Sequence, residues 1–168
     1  PQSDEISILI ADVPNPTVDQ VQPICAGEEV QLYAWGSEDL FWLQDATLSS
    51  TTIPDPVASP MVTTTYTVHD DNECGVGQAE VTVVVSEVEI ELSTPGIAIC
   101  LGDGVDIVAE GAEEYDWSPP AGISNPNSGT VTASPNVTTN YTVTATDEYG
   151  CTDTGNVLIT VIPGPPGG

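Results

Sequence analysis

The chain has 168 residues with 26 Asp and Glu, one His and no Lys or Arg, so its formal net charge is −26. Ordinary usage would supply roughly 20 Lys and Arg in a chain of this length. This charge excludes nucleic acid as a partner, because no basic side chain can neutralise phosphates. Direct membrane insertion is not expected either, since no apolar run reaches the length of a membrane span.

The sequence repeats itself at an offset of 75 residues. Residues 58–68 (ASPMVTTTYTV) and 133–143 (ASPNVTTNYTV) are identical at nine of eleven positions, and the same offset places Trp42 on Trp117. A period of this size is that of a small domain. We therefore predict one repeat at 1–86, a second at 87–163, and a Pro/Gly linker or tail at 164–168.

Short Val- and Thr-rich runs between Gly and Pro residues predict strands, and no stretch shows sustained helical periodicity. In chain order, the first repeat is predicted to form strands at 5–13, 29–34, 40–43, 64–70 and 78–86, with a short edge strand at 51–53. The second is predicted to form strands at 87–92, 105–109, 115–118, 129–133, 139–146 and 156–162. The fold class is therefore all-β. Because 78–86 runs into 87–92 without a linker, we expect two domains stacked end to end.

Four aromatic residues are the predicted core anchors: Trp42, Tyr66, Trp117 and Tyr141. Each Tyr follows a Ser-Pro turn and opens a β-branched strand. A Tyr at such a corner can bury its ring and return its hydroxyl to a nearby backbone group. The alternative is a half-buried Tyr in an ordinary strand.

The pattern ICxGxxVxLxA, YxWSP, SPxVTTxYTVTxTDxxGC and a closing VxITV strand resembles the immunoglobulin-like, PKD-like tandem repeats of large secreted bacterial surface proteins. The resemblance covers nearly all of the second repeat and is looser in the first, where FWLQ replaces YxWSP. It implies an immunoglobulin-like β-sandwich in each repeat, an extracellular location on a bacterial cell surface, and a stalk or adhesive role. It implies no catalytic residue.

The four cysteines divide two per repeat, as Cys25 and Cys74, then Cys100 and Cys151, which is typical of disulfides in an oxidising compartment. Repeat symmetry favours pairing within each domain. In an immunoglobulin-like sandwich, however, the two cysteines of a repeat would lie at opposite ends of parallel-running strands. A staggered alternative joins Cys25 to Cys151 and leaves Cys74 and Cys100 for neighbouring chains.

Calcium is the one cofactor considered, because hard cations prefer several carboxylate and carbonyl oxygens. The candidate ligands lie in two turns: Asp70, Asp71, Asn72 and Glu73 in the first repeat, and Asp147 and Glu148 in the second. Neither turn has the spacing of an EF-hand loop, and a solvated acidic turn is the alternative. No cofactor is required, and the isolated His69 indicates no catalytic centre.

Three functions remain after these exclusions, none of them enzymatic. The first is a stalk or adhesive module whose partners are other copies or neighbouring repeats of the same surface protein. The second is a subunit of an extracellular filament joined by strand exchange or disulfides. The third is a carbohydrate-binding module in which Trp35, Trp42 or Trp117 stacks on a glycan.

Overall fold

The computed structural model describes residues 12–164, and the chain divides into two compact units, Pro1–Ser86 and Glu87–Gly168. The division coincides with the boundary between the two sequence repeats. The described residues form strands and no helix, so none of them forms a helix that could span a membrane. The predicted strand at 5–13 lies almost wholly outside the described residues, as does most of the Pro/Gly tail.

The first unit is built from short strands around two long ones. They are β1 (Thr17–Val18), β2 (Ile24–Cys25), β3 (Val30–Gln31), β4 (Ala34–Trp35), β5 (Leu40–Trp42), β6 (Val57–Ala58), β7 (Thr64–Asn72), β8 (Gly75–Val83) and β9 (Val85–Ser86). One sheet has the order β5-β7-β8, and β2 pairs in parallel with β9. The pairs β1-β4 and β3-β6 are antiparallel.

The second unit has the same plan in longer strands. They are β10 (Glu91–Leu92), β11 (Gly96–Cys100), β12 (Val105–Glu110), β13 (Glu114–Ser118), β14 (Thr130–Ala133), β15 (Thr139–Thr146) and β16 (Thr152–Ile162). One sheet has the order β10-β12-β14, and the other has the order β11-β16-β15-β13. Among the described strands of this unit, only β11 and β16 pair in parallel. Each unit is therefore all-β, as the strand pattern predicted.

Two features of the strand layout were not predicted. The strands β2 and β11 pair with the last strand of their own unit, although their short sequences carry no alternation from which to read a strand. The predicted edge strand at 51–53 is wrong, because these residues form bends. Its backbone still contributes, since the Thr51 carbonyl accepts a hydrogen bond from the Trp42 N–H at 2.8 Å.

Each unit has its own hydrophobic core, and all four predicted anchors are buried in it. The rings of Trp117 and Tyr141 pack among aliphatic side chains contributed by both sheets of the second unit. The first unit places Trp42 and Tyr66 in the same way. Because strand side chains alternate between faces, the inward positions of β7 and β15 are apolar, with Asp70 on β7 as the exception.

The two tyrosine hydroxyls are both hydrogen-bonded, but to different kinds of partner. Tyr141 donates to the Ala121 carbonyl at 2.8 Å, so the predicted return to backbone is present in the second unit. Tyr66 instead lies 2.5 Å from the Thr47 hydroxyl, which is a side-chain partner. Gly122 adopts a φ of +79°, and a Cβ there would lie 2.9 Å from the Tyr141 hydroxyl. A glycine therefore lets this loop approach the ring.

Candidate functional site

The acidic turn of the first repeat does not present its four predicted ligands to one point. Asp70 is only 2% exposed, because β7 continues through Asn72 and its alternation points Asp70 inward. The carboxylate accepts hydrogen bonds from the Ser37 backbone N–H, at 2.8 Å, and from the Ser37 hydroxyl. Asp70 therefore holds the loop before β5, whereas Asp71, Asn72 and Glu73 are exposed.

Asn72 closes the turn between β7 and β8, and Asp147 closes the equivalent turn between β15 and β16. Asn72 Oδ1 accepts from the Cys74 N–H at 2.8 Å. Asp147 Oδ1 accepts from the backbone N–H groups of Tyr149 and Cys151, at 2.9 and 2.8 Å. These are Asx turns, in which a short polar side chain satisfies backbone donors.

Within residues 12–164, no group of three or more His, Cys, Asp or Glu side chains is placed to hold a metal ion. The predicted clusters of Asp70 to Glu73 and of Asp147 with Glu148 are thus not gathered into coordination sites. Calcium binding at these turns stays a prediction, to be tested by titration. In the second turn, the pKa of Tyr149 is raised by the hydrogen bond and charge of neighbouring Glu148.

The structure places the two cysteines of each unit at opposite ends of the strands. Cys100 lies opposite Ile162, whereas Cys151 precedes the first residue of β16. Positions 151 and 162 are 11 residues apart, or roughly 36 Å of strand, and a disulfide needs Cα atoms about 5.5 Å apart. In the first unit, Cys25 lies opposite Ser86, and Cys74 precedes β8. The prediction of pairing within each repeat is therefore wrong.

The bonding state of the cysteines agrees with this geometry. Cys25 and Cys151 are each disulfide-bonded, whereas the thiol of Cys100 is unbonded and exposed. The predicted disulfide role of Cys100 within this chain is thus corrected. The staggered pairing of Cys25 with Cys151 stays a prediction. Mass spectrometry of non-reduced peptides tests it, using a protease that cleaves at acidic residues because trypsin has no site.

The three tryptophans divide into two buried rings and one exposed ring. Trp42 and Trp117 are 2% and 1% exposed, so they cannot stack on a glycan. Trp35 is 62% exposed, and Tyr33, two positions earlier, is 47% exposed. The predicted stacking platform is therefore reduced to Trp35, and the exposed ring of Tyr33 adds to it.

An acidic cavity on the outer face of the first unit was not predicted from the sequence. Its volume is about 470 Å³, and its walls are Asp39, Phe41, Asp71 and Asn72. The signal was present as the alternation in Asp39-Leu40-Phe41-Trp42, which turns the acid and the phenyl ring outward together. The cavity was not predicted because residues 40–43 (LFWL) are four consecutive apolar residues, which is typical of a strand buried on both faces.

Comparison with known proteins identifies the fold and no family. No protein family and no curated protein matches the sequence. Among solved structures, an I-band fragment of titin is 14% identical with a TM-score of 0.52, over 91% of this chain and 67% of that chain. The first two immunoglobulin domains of DIP-gamma are 11% identical with a TM-score of 0.55, over 88% of this chain and 97% of that one.

A third similar structure is that of the insect immune protein hemolin, at 16% identity and a TM-score of 0.50. The match covers 89% of this chain and 47% of the hemolin chain, so this chain spans about half that protein's length. At such identities, a structural likeness speaks for the fold alone. The predicted fold class of tandem immunoglobulin-like β-sandwich domains is confirmed, and the end-to-end stacking stays a prediction.

Proposed function

We propose that the chain is a non-enzymatic structural or adhesive module, a stalk repeat of an extracellular bacterial surface protein. The observation that carries the proposal is that each unit closes its own core, around Trp42 in one and Trp117 in the other. Repeated modules with independent cores can be strung in series without loss of stability. The disulfide-bonded cysteines support an oxidising, extracellular setting.

The adhesive part of the proposal is supported by the fold and by one similar structure. The hemolin structure is described in terms of homophilic adhesion, and immunoglobulin-like sandwiches commonly act as such modules. We propose other copies or neighbouring repeats of the same surface protein as partners. The PKD-like character and the bacterial origin rest on the sequence resemblance.

Single-molecule force spectroscopy tests the stalk proposal. With its cysteines reduced, the chain flanked by well-characterised marker domains should give two separate unfolding events, one for each unit. Light scattering coupled to gel filtration should show a monomer at micromolar concentration. A single event for both units, or unfolding without measurable resistance, would contradict a load-bearing stalk.

A filament subunit is the second candidate, because β11 lies at the edge of its sheet. This strand, Gly96–Cys100, has no charged residue and ends in an unbonded, exposed thiol. Uncharged edge strands invite strand addition from other chains. Oligomers that persist under non-reducing conditions and vanish in Cys100→Ser would favour the filament. A parent chain that is monomeric under both non-reducing and reducing conditions would exclude the filament.

Carbohydrate binding is the third candidate and rests on the exposed pair Tyr33 and Trp35. Flat aromatic rings at a surface offer the apolar faces on which sugar rings stack. A glycan array compares the chain with Trp35→Ala, and a signal lost in the variant supports the module. The absence of any glycan signal removes this candidate.

A further inference from the structure

The outer face of β5 and β7 places an exposed phenyl ring beside two carboxylates. The register sets Phe41 opposite His69 and Leu40 opposite Asp70. Asp39, in the turn just before β5, and Asp71 line the same cavity. Phe41 is 38% exposed, and its ring meets the His69 ring edge-on, with centroids 5.4 Å apart and planes at 69°. The alternate residues Leu40 and Asp70 point inward, so the outer face of these strands carries the side chains of Phe41, His69 and Asp71.

This face forms a concave site that contains two carboxylates and no Lys or Arg side chain. The cavity is shallow and open, with a volume of about 470 Å³, and it is lined by Asp39, Phe41, Asp71 and Asn72. Two carboxylates that line one cavity repel each other. The chain contains no Lys or Arg, and its one His, His69, packs edge-on against Phe41. No ammonium or guanidinium side chain of this chain can therefore lie between the two carboxylates. The cavity is therefore complementary to a cation from outside.

We propose that this cavity, lined by Asp39, Phe41, Asp71 and Asn72, binds an arginine side chain of a partner polypeptide. A guanidinium is planar, donates hydrogen bonds in a fork that matches carboxylates, and stacks on aromatic faces. Calcium fits less well, because it requires six to eight oxygen ligands and one wall here is a phenyl ring. Since this chain has no arginine, a second copy of it cannot supply the side chain.

The second unit supplies a natural control at the same position of its sheet. There Asp116 lies opposite Thr144, where the first unit has Phe41 opposite His69. Glu114 and Asp116 keep two negative charges on this edge strand, but the aromatic rings of the strand, Tyr115 and Trp117, alternate inward to the core. The second unit should therefore attract cations without selecting arginine.

Nuclear magnetic resonance of the full chain tests the site, with N-acetyl-arginine amide as the probe. Shifts should concentrate at 39–41 and 69–72. Phe41→Ala should weaken binding about two- to five-fold, the range of an exposed cation–π contact. The double variant Asp39→Asn/Asp71→Asn should weaken it further. The matched variant Glu114→Gln/Asp116→Asn removes the same charge from the second unit and should leave it unchanged.

Three outcomes would overturn the proposal. Equal weakening by the two double variants would show general attraction to a polyanion. Equally tight binding of N-acetyl-lysine amide would show that the guanidinium is not selected. Displacement of the probe by calcium at constant ionic strength would show a metal site. The proposal rests on the proposed adhesive function for the existence of a partner, whereas force spectroscopy judges the stalk independently of any of these results.

Discussion

At the scale of single residues, the equivalent Trp42 and Trp117 differ in what their indole nitrogens contact. Trp117 Nε1–H donates to the Ser128 carbonyl at 3.0 Å. Trp42 Nε1 is buried and has no hydrogen-bond partner among the described residues. An unmade buried hydrogen bond leaves a desolvation cost uncompensated. The Trp42 ring therefore stabilises the first unit through packing and not through a hydrogen bond.

Replacing each of these tryptophans by Phe should separate packing from hydrogen bonding. Both variants lose ring volume, but Trp117→Phe also leaves the Ser128 carbonyl unpaired. It should cost about 1 kcal/mol more than Trp42→Phe, the net value of a typical hydrogen bond. Scanning calorimetry of the full chain measures both losses. Equal losses would mean that the Ser128 contact contributes nothing.

The buried tyrosines should make the protein sensitive to alkali. Burial raises the pKa of both Tyr66 and Tyr141 above the ordinary value of about 10. The folded state thus holds each phenolic proton more tightly than the unfolded chain does. This contribution to stability is complete below about pH 10 and is lost as the pH rises through the folded pKa.

The variant Tyr141→Phe tests this dependence. It should be less stable than the parent by about 1 kcal/mol at pH 7, because the bond to the Ala121 carbonyl is lost. It should then lose less of its remaining stability between about pH 9 and 12. Denaturant unfolding at a series of pH values measures both effects. Parallel losses in parent and variant would show that the Tyr141 proton is not linked to folding.

At the scale of elements, the two repeats hold the same loop by different groups. In the first unit, Asp70 accepts from the backbone N–H of Ser37. In the second, the residue equivalent to Asp70 is Ala145, and the backbone N–H of Ala112 donates to the Tyr115 hydroxyl at 3.0 Å. The donating backbone N–H lies at the same position in both repeats. Its acceptor is a carboxylate on β7 in the first unit and a tyrosine hydroxyl on β13 in the second.

Asp70→Ala should destabilise the first unit by about 1 to 3 kcal/mol, because the Ser37 N–H loses its acceptor. Tyr115→Phe is the matched change in the second unit and should cost about 1 kcal/mol. Hydrogen exchange at residues 36–39 and 111–114 locates each effect. If Asp70→Ala changed calcium affinity and left exchange at 36–39 unaltered, Asp70 would be a ligand and not a loop anchor.

At the scale of the whole molecule, a net charge of −26 with no Lys or Arg makes self-repulsion the dominant electrostatic term. Repulsion between like surface charges destabilises the compact state and is screened by salt. The Debye length falls from about 30 Å at 0.01 M salt to about 3 Å at 1 M. Stability should therefore depend on ionic strength far more than in a protein of balanced charge.

Thermal unfolding in NaCl from 0.01 to 1 M tests this dependence, and Tm should rise by several degrees. Calcium chloride at matched ionic strength separates screening from binding, since an additional rise would indicate specific sites at the acidic turns. A Tm independent of NaCl would show that the carboxylates are too far apart to repel. The variant Asp71→Asn/Glu73→Gln should remove any excess effect of calcium at the first turn.

The sequence alone determined the repeat, the all-β class and the core anchors, because side-chain alternation and identity at a fixed offset are local properties of the chain. Strand 139–146 was predicted with the bounds that the structure shows. Only the tertiary structure decided the roles of Asp70, Phe41 and Cys100, since each depends on strand register. Asp70 reads as part of an acidic turn until β7 is seen to continue past it, and Cys100 reads as a partner for Cys151 until its pairing with Ile162 places the two far apart. Register is set by contacts between residues distant in sequence, and no local pattern encodes it.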